Sequence, residues 1–78
     1  MQEKCEEIAH WMLHEVKERG ILRQEDVVAH IKNRYGNQYL YVNEAGHTSI
    51  DKEVKKIYKK LHKGRVAWDR DGFFWAWT

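Results

Sequence analysis

Proline is absent from the 78 residues, cysteine occurs once, and no apolar run approaches the ~20 residues that a membrane-spanning helix requires. The lone Cys5 excludes an intramolecular disulfide and fits a reducing, cytoplasmic setting. The opening stretch MQEKCEEIAHW is charged from its third residue, so no signal peptide is expected. With no proline to break the chain, the punctuation falls to Gly20, Gly36, Gly46, Gly64 and Gly72. No low-complexity segment and no internal repeat is visible.

What is present suits one small globular domain spanning residues 1–78. The composition is 42% hydrophobic and 33% charged, with four tryptophans. A chain this short buries only about 60% of its unfolded surface, so large aromatic side chains must carry much of the core. From Gln2 to Arg19, the residues Cys5, Ile8, Ala9, Met12, Leu13 and Val16 recur at three- and four-residue steps and predict an amphipathic helix closed by Gly20. Val27, Val28, Ile31 and Tyr35 repeat that spacing between Gln24 and Tyr35, with Glu25 and Asp26 in the first turn. Tyr39 to Val42 reads as a short strand, followed by a loop over NEAG.

A third helix is expected from Thr48 or Ser49 to Gly64, with Thr48 and Asp51 as a capping box. Its core stripe is Ile50, Val54, Ile57, Tyr58 and Leu61. The C-terminal stretch RVAWDRDGFFWAWT predicts a β-hairpin about a type I′ turn at Asp71-Gly72. That register pairs Trp68 with Trp75 and Val66 with Trp77. It sets Val66, Trp68, Phe73, Trp75 and Trp77 on a face that packs on Ile57 and Leu61, with Phe74 on the other face.

The stretch DKEVKKIYKKLHKG puts six lysines into fourteen positions of a chain whose net charge is +2. Residues 52–65 hold seven basic side chains and one acidic one, a net of +6, so the other 64 residues carry −4. At ~100° per residue, Lys52, Lys55, Lys56, Lys59 and Lys63 centre opposite the apolar stripe. Clustered basic charge on one helix face is the electrostatic footprint of nucleic-acid binding, and it is also what a merely solvated helix presents. The face has no Arg, Asn or Gln, so it suits phosphate contacts better than base edges.

Three helices followed by a hairpin, with Ile21-Leu22 before the second helix, resemble winged helix-turn-helix domains, and in particular small bacterial proteins of that type. The resemblance implies an α+β fold, a three-helix core with a C-terminal β-hairpin. It also implies that the third helix is the recognition helix and that the turn from Asp69 to Gly72 is the wing tip. Lys52, Lys55, Lys56, Lys59, Lys63 and Arg70 then become the expected contacts to DNA or RNA. One departure is the connection over residues 37–48, far longer than the tight turn of about three or four residues in a basic helix-turn-helix.

The alternative is a protein-interaction or dimerisation module carried by Trp11, Tyr39, Tyr41 and Phe74, with residues 39–42 free to pair with a second copy. No cofactor is expected. His10 and His14 stand one turn apart, but HWMLHE lacks the glutamate of a zinc-protease helix, and exposed surface histidines are the simpler reading, so no metal is expected. Glu6-Glu7 and Glu25-Asp26 read as solvated acids, and Asp69 and Asp71 as turn residues. No enzyme is expected, and a domain this small promises little room for a pocket of the usual ~300 Å³ or more.

Overall fold

The computed structural model describes residues 2–78. The chain runs α1 (Gln2–Arg19), β1 (Ile21–Arg23), α2 (Gln24–Tyr35), a 3-10 turn (Asn37–Tyr39), β2 (Leu40–Val42), β3 (Thr48–Ile50), α3 (Lys52–His62), β4 (Val66–Asp69) and β5 (Phe74–Trp77). It is an α+β fold, with three helices against a C-terminal antiparallel sheet.

The apolar stripe of α1 is buried along its length at Cys5, Ile8, Ala9, Met12 and Val16. This face packs chiefly on α3, which contributes Val54 and Tyr58, while α2 adds Val27 and Ile31. Gly20 ends α1 at φ 81°, a left-handed conformation that glycine adopts without a Cβ clash, and its N–H donates to Val16 O at 2.8 Å.

Strand β5 is central, with β1 on one side and β4 on the other. Leu22 pairs with Trp75 in the first ladder, and Trp68 with Trp75 and Val66 with Trp77 in the second. The hairpin register therefore matches the sequence reading. Trp75 is buried at 7% exposure, and its ring meets Tyr58 edge to face with centroids 5.7 Å apart. Ile57, Leu61, Val66 and Trp77 pack around this core as half-buried residues.

Three expectations are corrected. Thr48 and Ser49 do not begin α3: they form β3, which pairs with β2 in the register Leu40 to Ile50 and Val42 to Thr48. Asp51 itself is the N-cap, its Oδ1 accepting from Glu53 N at 2.8 Å, while its own N–H donates to Tyr39 O at 2.8 Å. The connection between α2 and α3 is thus a second hairpin. Its turn is closed by Asn43, whose Oδ1 accepts from Ala45 N and His47 N, and one edge of residues 40–42 is already occupied within the chain.

The wing turn is not type I′ either, since neither Asp71 nor Gly72 has positive φ. Asp69 Oδ1 accepts from both Asp71 N and Gly72 N at 2.9 Å, building a four-residue loop whose left-handed position is Phe73, at φ 53°. At position 72 the constraint is space rather than φ, since any larger residue would have to displace the Phe74 ring. A Cβ there would lie 2.5 Å and 2.7 Å from atoms of the Phe74 ring, which folds over it.

The third correction concerns the tryptophans. Trp75 takes the place over Tyr58, leaving Trp68, on the edge strand β4, leaning on Trp75 with centroids 4.6 Å apart and still 42% exposed. Trp77 lies between two cations, with Lys17 Nζ 5.3 Å and the Arg65 guanidinium 4.9 Å from its ring.

Two substitutions test this core. Trp75→Ala should cost about 3–5 kcal/mol, seen as a lowered urea midpoint, because the ring has no substitute over Tyr58. Tyr58→Phe should act the other way. The Tyr58 hydroxyl is buried with no hydrogen-bond partner among the described residues, and burial pushes its pKa far up, so removing it should raise stability by about 1 kcal/mol in the same assay.

Candidate nucleic-acid interface

Three elements distant in sequence enclose an open groove of about 670 Å³. The β2–β3 hairpin supplies Asn43, His47 and Ser49 to one wall, α3 supplies Lys55, Lys59 and His62, and the wing supplies Trp68, Arg70 and Phe73. The expectation of little room for a pocket is therefore corrected. The volume comes from two hairpins splaying on either side of a helix, not from a hollow core.

Lys55, Lys59 and Arg70, expected at a nucleic-acid surface, are brought together here, and the described lining contains no carboxylate. Lys55 is not on the solvent side of its helix, where the helical wheel set it. The β2–β3 hairpin packs beside α3 and leaves Lys55 half-buried, its ammonium donating to Ser49 Oγ at 3.3 Å and Tyr41 OH at 3.5 Å. The ammonium also lies 5.7 Å from the Tyr41 ring centroid. Hydrogen bonding with Ser49, and then the Lys55 charge, hold the Tyr41 phenol below its usual pKa. A lysine with two of its three N–H groups engaged is held in place, which a free surface lysine is not.

Lys52, Lys56 and Lys63 are exposed and lie outside the groove lining. Lys63 follows the last turn of α3 in a left-handed conformation, φ 51°. Two aromatic residues that the sequence reading assigned to the core, Trp68 and Phe73, line the groove at 42% and 43% exposure. Their rings stand edge to face, with centroids 6.2 Å apart, and Phe73 also meets His47 at 5.3 Å. A positive φ is uncommon for phenylalanine and costs on the order of 1–3 kcal/mol. The loop is held in this conformation by Gln24 N donating to Phe73 O at 2.9 Å. The available signal was position: Trp68 lies on the outer strand of the hairpin and Phe73 in its turn, where cover is least.

The residues of the alternative interaction surface are dispersed. Tyr39 is 3% exposed and belongs to the core, because the 3-10 turn folds it inward against Tyr35. Trp11 is half-buried and stacks flat on His30, with centroids 3.7 Å and planes 3° apart. Tyr41 lies beside Lys55, and Phe74 covers Gly72. His10 and His14 are exposed on α1, and no group of three or more potential metal ligands occurs among the described residues.

The molecule is thus a small α+β domain with a cationic, aromatic groove between α3, the wing and the β2–β3 hairpin. The chain belongs to a family of unknown function, DUF6953, whose model matches residues 4–77. No curated protein and no solved structure matches it. No helix among the described residues is long and apolar enough to cross a membrane.

Two histidines tie stability to pH. Burial, then the neighbouring Lys59, holds His62 below its ordinary value of 6.5, and its Nδ1 accepts from Gly64 N at 3.1 Å, which only the neutral ring can do. Burial, then Arg34, lowers His30 in the same direction against the opposing pull of Glu15. Both groups bind protons more weakly folded than unfolded. Their contribution is therefore complete above about pH 6.5 and is lost as pH falls through the lowered folded values. The melting midpoint should drop between about pH 7 and about pH 5, and the double variant His30→Gln/His62→Gln should flatten that dependence.

Proposed function

We propose that this chain is a nucleic-acid-binding protein of winged-helix type that holds its ligand mainly through phosphates, with α3 and the wing as the contacting elements. The observation that carries the reading is the groove itself, where Lys55 and Lys59 from α3 and Arg70 from the wing share one surface with no carboxylate in its described lining. Further support comes from topology: β1, the short strand before α2, pairs with the last strand of the wing, a pairing often found in the winged-helix domains that the sequence resembles. Lys52, Lys56 and Lys63 would extend the basic surface without entering the groove. The reading goes with a cytoplasmic setting, suited to the buried Cys5 thiol, and assigns the protein no catalysis.

Protein interaction is the second reading, favoured by the apolar side chains left open on short strands, Val42 at 68% and Ile21 at 47% exposure. A complex formed there would tolerate salt, whereas phosphate contacts release counterions and weaken as salt rises.

Fluorescence anisotropy with labelled duplex and single-stranded oligonucleotides between about 50 mM and 200 mM salt separates the two. Three phosphate contacts should give a slope of log affinity against log salt of about −2.7 on duplex or about −2.1 on a single strand. The variant Lys55→Gln/Lys59→Gln/Arg70→Gln should lose most of that slope while keeping its melting midpoint. Salt-insensitive binding, or equal binding by the variant, would remove the reading and leave protein interaction in first place.

A further inference from the structure

The groove holds more than cations. Trp68 and Phe73 present partly open rings within the same trough as Lys55, Lys59 and Arg70. Trp68 is supported by Trp75, and Phe73 is held in place by its backbone bond from Gln24. Cations beside supported aromatic faces match a ligand that carries phosphates and exposed bases on one strand.

We infer that the groove takes a single-stranded segment of DNA or RNA, with bases stacked on Trp68 and Phe73 and the backbone held by Lys55, Lys59 and Arg70. The inference rests on the nucleic-acid reading of this site and deepens it.

Steric fit favours a strand over a duplex. A bare α-helix with its side chains is about 10–12 Å across, which already fills a B-DNA major groove of about 12 Å. The side of α3 that carries Lys55 and Lys59 is flanked by the β2–β3 hairpin and by the wing. With a wall on each side, that face of the helix is less open to a duplex than to a single strand. A base inside a duplex also has both faces stacked on its neighbours, so the open rings of Trp68 and Phe73 have no partner there. In a single strand the bases are free to turn onto them.

The edge-to-face setting of the two rings, 72° between planes, means that they cannot stack on one base together. They fit two different bases, one turned relative to the other. Stacking of this kind accepts any base, so little sequence preference follows from it. Either sugar satisfies the contacts named, and matched DNA and RNA oligonucleotides reveal which is preferred.

The test compares four probes of equal length and label on the wild-type protein at low salt: a single strand of DNA, the same sequence in RNA, a blunt duplex, and an abasic strand with the same phosphates and no bases. One of the two single strands should bind at least about tenfold more tightly than both the duplex and the abasic strand. Trp68→Ala should weaken single-strand binding by about ten- to a hundredfold and leave abasic binding unchanged, while Trp68→Phe restores much of the loss. Equal affinity for the abasic strand, or tighter binding of the duplex, overturns the stacked single strand while the phosphate reading stands. Absence of salt-sensitive binding to all four probes overturns both.

Discussion

The structure depends on the double pairing of β5. This four-residue strand is held by β1 on one edge and β4 on the other, and that position brings Trp75 opposite Leu22 and over Tyr58. A domain of this size has few residues to spare for its interior, so one large ring at the meeting point of sheet and helix has a disproportionate share of the apolar burial. The same ladder extends past the strands, with Gln24 N bonded to Phe73 O and Trp77 N to Gly20 O. Both ends of the short segment between α1 and α2 are thereby tied to the wing, and the wing has a defined direction relative to the helices.

That direction creates the groove. On one side the wing carries Trp68, Phe73 and Arg70, and on the other the β2–β3 hairpin carries His47 and Ser49, with α3 between them. The basic residues of α3 consequently differ in physical character despite similar spacing. Lys55 is shielded and bonded to Ser49 and Tyr41, where a charge interacts more strongly than in bulk water. Lys56, one residue later, is exposed and its field is screened within about 10 Å at ordinary salt. Arg65 belongs to neither group: its guanidinium donates twice to Thr78 O and lies against Trp77, so it is committed to the fold.

Much of this was legible in the chain. The α1 and α2 stripes and the pairing of Trp68 with Trp75 follow from periodicities of 3.6 and 2, which act between near neighbours, while the short Ile21-Leu22 segment was suggested only by the winged-helix resemblance. The second hairpin was not legible. Thr48, Ser49 and Ile50 form a strand of three residues, too short for a pattern, and Thr48 with Asp51 imitates a helix cap. Tertiary pairing with β2 prevailed over that local preference. At the wing, the Asp-Gly pair was a sound turn signal, but the preceding Asp69 side chain captured two N–H groups and moved the left-handed position to Phe73.

Periodicity, turn chemistry and composition are thus enough to say which faces of the helices are apolar, where the C-terminal hairpin turns, and that basic charge is concentrated in one helix. Long-range packing is what buries Tyr39, leaves Trp68 and Phe73 open, and sets Lys55 and Lys59 in a groove with Arg70 but not Lys52, Lys56 and Lys63. The reason is geometric. A helical wheel orders side chains around one axis, but the cover on each side of that axis is provided by hairpins whose positions are set by contacts many residues away.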